Sequence, residues 1–152
     1  MSARFRVLIV GKPKARWARD AVDDYARRIA RLGGVDERVV KAERFTGDIA
    51  AVRAAEGERV RGAVKGRLVC LDERGDRLST ETFAAMIDDG RQRGPLCFAI
   101  GGAYGHDAAT RASAWRTVRL SDLVLNHELA RVILYEQLYR ALTLIEGLPY
   151  HH

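Results

Sequence analysis

A chain of 152 residues, 47% apolar and 30% charged with three prolines, is long enough for one well-buried core and too short for two ordinary domains. That composition excludes a disordered chain, and no apolar run approaches the ~20 residues that a membrane-spanning helix needs. Lysine and arginine total 26 against 20 aspartates and glutamates, and the resulting +6 favours a polyanion such as RNA as partner. Met1 to Arg6 runs directly into a strand pattern with no signal-peptide core, so a cytoplasmic location and no membrane partner are expected. Cys70 and Cys97 sit in apolar runs with no partner at metal-ligand spacing, and read as small core residues in a reducing compartment.

Phe5–Val10 is a short apolar strand closed by Gly11-Lys12-Pro13. The spacing of Trp17, Ala21, Tyr25 (or Val22), Ile29 and Leu32 predicts an amphipathic helix over Arg16–Leu32, ended by Gly33-Gly34. Val35–Phe45 reads as a more polar strand near a sheet edge. Asp48 suits the N-cap of a helix to about Val64, weakened by Gly57 and Gly62. Arg67–Asp72 is a buried third strand, followed by a polar turn, Glu73-Arg74-Gly75-Asp76, and a helix from Ser79 through Phe83, Met86 and Ile87 to Gly94.

Leu96–Ile100 is uninterrupted apolar sequence and runs straight into Gly101-Gly102-Ala103-Tyr104-Gly105. A buried strand that ends in a glycine-rich loop is where open α/β sheets bind ligands. Asp107 caps a short helix to near Ala114, Trp115–Leu120 is a fifth strand, and Ser121 to His127 is a loop. The longest helix follows, His127–Gly147, with Leu129, Val132, Ile133, Glu136, Leu138, Ala141, Leu142 and Ile145 on a broad face. Strands alternating with helices predict an α/β fold with a mainly parallel sheet and helices on both faces, so a flavodoxin-like module remains open at this point.

Taken singly, the motifs are weak. The glycine loop is not the dinucleotide fingerprint, and it lacks the Gly-Lys-Ser/Thr ending of a phosphate loop. Asn126 can cap the long helix, His127 can pack beside it, and Glu136 and Arg140 lie four apart and can pair across one turn. No Ser-His-Asp order, zinc spacing or His-Glu-x-x-His motif supports a hydrolase or a metal site. An aromatic and a histidine after the last helix, Pro149-Tyr150-His151, suggest a tail that docks.

Read together, four stretches resemble one family: Ala99 to His106, Leu120 to Val132, Glu136 to Ala141 and Pro149-Tyr150-His151. The chain is similar along its whole length to the bacterial methyltransferases that act on N3 of a pseudouridine in large-subunit (23S) ribosomal RNA, minimal members of the SPOUT (trefoil-knot) group. The resemblance implies a single domain over 1–152 with a C-terminal deep trefoil knot, an exception to the rule against knotted chains. It also implies S-adenosylmethionine as methyl donor, no metal, a homodimer, and the ribosome as substrate. By resemblance the cofactor would meet Leu71, Gly102, Asp122, Leu123, Val124, Leu125, Asn126 and His127, with Gly101 and Gly105 shaping the loop. Arg140 would position the substrate or stabilise its developing anion, His127 and Tyr150 would be active-site neighbours, and His151 a proton acceptor. Two positions depart from the family: Asn126 stands where it usually has proline, and His152 where it has lysine or arginine. A non-catalytic nucleotide-binding or rRNA-binding α/β module is the alternative.

Overall fold

The structure, a computed structural model, describes residues 4–152; the leader reading at residues 1–3 lies outside the described residues. Five strands form one sheet in the order β2-β1-β4-β3-β5: β1 Phe5–Val10, β2 Val35–Val40, β3 Arg67–Arg77, β4 Leu96–Ile100 and β5 Arg116–Arg119. All four neighbouring pairs run parallel. The sheet is thus wholly parallel, and β2 lies at an edge as its polarity suggests. β4 is central, paired to β1 and β3, and each of its five residues is buried, because helices cover both faces.

The helices are α1 Arg16–Ile29, α2 Ile49–Ala63, α3 Thr80–Arg91, α4 Ala108–Ser113 and α5 His127–Glu146. Side-chain alternation along the strands divides the interior in two. Phe5, Val7, Phe98 and Ile100 point into the larger core with Ile29 of α1, Phe83 and Ile87 of α3, and Leu134, Leu138 and Leu142 of α5. Leu8, Cys70, Cys97 and Ala99 point the other way, into a smaller cluster with Val60 of α2. Both cysteines are buried free thiols, and burial pushes Cys70 up to about 12, which keeps it an inert core group. Among the described residues no helix is long and apolar enough to cross a membrane.

Several boundaries differ from the sequence expectation. β2 stops at Val40, so Phe45 lies in a loop. α1 ends at Ile29, its last turn tightens to a 3-10 helix over Ala30–Leu32, and α3 stops at Arg91. Trp17 is 53% exposed, because α1 turns Ala18, Val22 and Ile29 inward instead. On α5 the buried set is Arg131, Leu134, Tyr135, Leu138, Ala141, Leu142 and Thr143, which leaves Leu129 exposed.

The expected turn at Glu73–Asp76 is instead part of β3. The strand continues to Arg77, and Leu71 and Asp76 both register with Val118 of β5, so the intervening residues bulge out. A Cβ on Gly75 would collide with the Val118 backbone, which is why the strand can return to β5 only through glycine there. The bulge places Asp72, Glu73 and Arg74 along a cleft.

Candidate active site

A cleft of about 620 Å³ opens at the carboxyl ends of β3 and β4. Leu71, the last paired residue of β3 before the bulge, and Ile100, the last of β4, form its floor, Gly101, Gly102 and Gly105 make one wall, and Leu123, Val124, Leu125, Asn126 and His127 make the opposite one. Nine of the ten cofactor residues expected from the sequence therefore meet in one place. The tenth, Asp122, does not line it: its carboxylate pairs with Arg77 at 2.6 Å and lies 3.4 Å from Arg119 Nε, tying the loop to β3 and β5.

Local chemistry explains both walls. The Gly105 N–H donates to the Gly102 carbonyl at 3.0 Å, closing a tight turn straight after β4. A Cβ on Gly102 would fall 2.7 Å from Glu56 Oε1 and 3.1 Å from Val10 Cγ1. Glycine thus lets the loop seat closely against α2 and β1, and a side chain there would have to push the Glu56 carboxylate aside. Behind it, His106 Nε2–H donates to the Ala99 carbonyl at 3.0 Å, which fixes the tautomer, and burial keeps its imidazole below its usual pKa. On the other wall, Asn126 Oδ1 accepts from the amides of Glu128 and Leu129 at 3.0 Å each, a side-chain N-cap that starts α5 at the cleft.

Beneath His127, the first turns of α5 are fixed by charge. Glu128 Oε2 accepts from the Ala15 amide at 2.7 Å, at the amino end of α1, where its charge suits the helix dipole. Arg131, buried, forms a two-pronged pair with Glu37 of β2 at 2.8 Å, and Tyr135 donates to the same carboxylate at 2.8 Å. Burial beside Glu37 pushes the Tyr135 hydroxyl far above its usual pKa, so it remains a donor.

The cleft has the size and the exposed apolar rim of a small-molecule site. Its volume lies within the usual range for small-molecule sites. Leu123 and Val124 are 77% and 80% exposed on its rim, apolar surface awaiting a cover. Arg119 also lines the cleft; its buried Nε is ion-paired with Asp122 at 3.4 Å but makes no hydrogen bond among the described residues.

Arg140, Tyr150 and His151 come together elsewhere. Arg140 donates to Glu136 through Nε at 3.2 Å and Nη2 at 2.8 Å, and its Nη1 donates to His151 Nδ1 at 3.0 Å. Because a guanidinium only donates, that contact places the His151 proton on Nε2, which lies 3.2 Å from Glu81 Oε1. Tyr150 donates to Glu136 Oε2 at 2.8 Å, stacks edge-on against Tyr139 and receives Arg140 over its ring at 4.7 Å. The tail is docked, as its composition suggests. Burial raises the Glu136 carboxyl, but the bonds from Arg140 and Tyr150 outweigh it and hold the group below the usual carboxylate value. Glu136 is thus the hub of the cluster. Its spacing to Arg140 is visible in the sequence, whereas the reach of Tyr150 and Glu81 to the cluster depends on folding.

None of these three residues lines the cleft of its own chain. His127 and Arg140 are thirteen residues apart on one helix, about 20 Å along its axis at the α-helical rise.

Comparison with known proteins decides the family. Residues 3–151 match the family described as "Predicted SPOUT methyltransferase". The chain belongs to the SPOUT methyltransferase family. It is 41% identical to the ribosomal RNA large subunit methyltransferase H of Geotalea daltonii, over 98% of this chain and 99% of that one. It is 44% identical to the protein of the same name from Variovorax paradoxus, over 95% of this chain and 96% of that one. In fold, this SPOUT chain is similar to a probable methylase family protein from Haemophilus influenzae, with a TM-score of 0.59 at 11% identity, over 95% of this chain and 67% of that one.

Proposed function

We propose that this protein transfers a methyl group from S-adenosylmethionine to N3 of a pseudouridine in large-subunit ribosomal RNA, acting as a cytoplasmic homodimer on the assembled ribosome. We read the whole chain as one catalytic domain, whose C-terminal segment forms the trefoil knot that the family resemblance implies. The observation that carries the reading is the separation along α5: one end of the helix lines a cleft suited to the methyl donor, and the other holds an arginine, a tyrosine and a histidine that cannot reach it. A second copy would supply the cluster that each cleft lacks. Trp17 on α1 and Leu129 on α5 are exposed apolar groups on packed neighbouring helices, a surface of the kind that copies bury.

When bound, S-adenosylmethionine supplies an already activated methyl on a sulfonium. The residues of the chain then have three tasks. Leu71, Leu123 and Val124 give an apolar seat, and the backbone of Gly101, Gly102, Leu125 and Asn126 gives donors and acceptors along the cleft. Arg140, held by Glu136, presents a fixed cation to a uracil-like ring that becomes anionic as its N3 proton leaves. His151 is the candidate acceptor of that proton. In the present arrangement both its ring nitrogens are engaged, so accepting requires Nδ1 to part from Arg140 as substrate enters. The net +6 charge supplies salt-dependent attraction to rRNA phosphates.

Methyl transfer from labelled S-adenosylmethionine to intact ribosomes, free large subunits and naked rRNA tests this, with the product nucleoside identified by mass spectrometry. N3-methylpseudouridine formed on ribosomes is the expected result. No incorporation into any of the three would overturn the proposal in favour of a non-catalytic module.

A further inference from the structure

We propose that Phe45 and Tyr104 form a platform on which an unpaired base of the RNA stacks beside the methyl-donor cleft; this rests on the rRNA-methylating reading above. β2 ends at Val40, which puts Phe45 in the loop before α2, at the carboxyl edge of the sheet where the cleft opens. Phe45 is 51% exposed although its ring meets that of Tyr104, with centroids 5.8 Å apart and planes tilted by 36°. A large ring left half in water next to a functional cleft is surface that a partner covers.

Tyr104 itself lines the cleft, and its carbonyl accepts from Arg53 Nε at 2.7 Å. Held in this way, Arg53, which also lines the cleft, keeps its two terminal nitrogens without a hydrogen-bond partner among the described residues. The loop carries an exposed Arg44, while its carboxylates are engaged: Glu43 with Arg59 at 2.8 Å, and Asp48 as the cap of α2. Aromatic faces interleaved with guanidinium groups hold single-stranded RNA, because every base has a face to stack and every nucleotide a phosphate to pair. A purely apolar protein contact would give no use to the two arginines.

The test titrates the full-length protein with a single-stranded RNA oligonucleotide carrying 2-aminopurine, and separately measures the KM for ribosomes in methyl transfer. Stacking quenches the fluorescence. Phe45→Ala should weaken oligonucleotide binding about tenfold and raise the ribosome KM similarly, with the Kd for S-adenosylmethionine unchanged. Phe45→Trp should restore both, and Phe45→Leu neither. Rescue by Phe45→Leu equal to that by Phe45→Trp would overturn the proposal, since the ring would then serve only as apolar cover. A raised ribosome KM without loss of quenching would also overturn it, pointing to a ribosomal protein as the partner. Because the titration needs no turnover, an inactive wild-type protein would sink the functional reading while leaving this one to be judged by fluorescence.

Discussion

At the scale of single residues, the site depends on groups held by more than one partner. Arg140 grips Glu136 through two nitrogens and His151 through a third, a geometry that a lysine ammonium cannot reproduce. Arg140→Lys should therefore lower single-turnover methyl transfer at least tenfold while the calorimetric Kd for S-adenosylmethionine stays within twofold. An unchanged rate would remove Arg140 from the chemistry. Glu136 makes a prediction about acid. Its folded pKa lies below the usual value, so its ionised form stabilises the fold above the unfolded-state pKa of about 4.5, and that contribution is lost as pH falls through the folded value. Urea midpoints measured between neutral pH and pH 3 should fall along that limb for the wild type and fall less steeply for Glu136→Gln. The i, i+4 spacing of Glu136 and Arg140 was legible in the sequence. The hub role of Glu136 was not, because Tyr150 reaches it only when the chain beyond Gly147 folds back onto α5.

At the scale of elements, the entry into α5 shows two sequences meeting one backbone requirement. Asn126 has φ of −67°, the value a proline ring imposes, and it also caps the helix through its side chain. Asn126→Pro, the residue usual in the family, should keep the fold and alter stability by less than about 1 kcal/mol, the lost cap being offset by a stiffer unfolded chain. Asn126→Ala, which keeps neither device, should cost about 1 kcal/mol in denaturant unfolding. If Asn126→Pro proves the more damaging of the two, the cap and not the dihedral sets the loop. Strand and helix order was readable from periodicity, as was the capping by Asp48, Ser79 and Asp107. The bulge in β3 was not readable, since Gly75 matters only against the backbone of Val118, a strand partner more than forty residues away. Trp17 escaped for a related reason: helical spacing identifies a stripe, but which neighbouring stripe faces the sheet is settled by packing.

At the scale of the whole molecule, the sheet brings Leu71, the glycine loop and the segment 123–127 into one cleft, and these residues were identifiable from linked motifs. What no linear reading conveys is that the same helix carries the two halves of the proposed site about 20 Å apart. If two copies complete each other, damage to the two halves should be separable. Gly102→Val displaces the glycine loop from Glu56 and Val10, and Arg140→Ala removes the cation, so each alone should abolish methyl transfer to ribosomes. The most direct measurement mixes the two variants, allows subunits to exchange, and assays labelled methyl incorporation. Random pairing makes half of the dimers mixed, each with one intact site, so about a quarter of wild-type activity should return. A mixture as silent as its two parents, under conditions where exchange is verified and the wild type is active, would contradict the shared site.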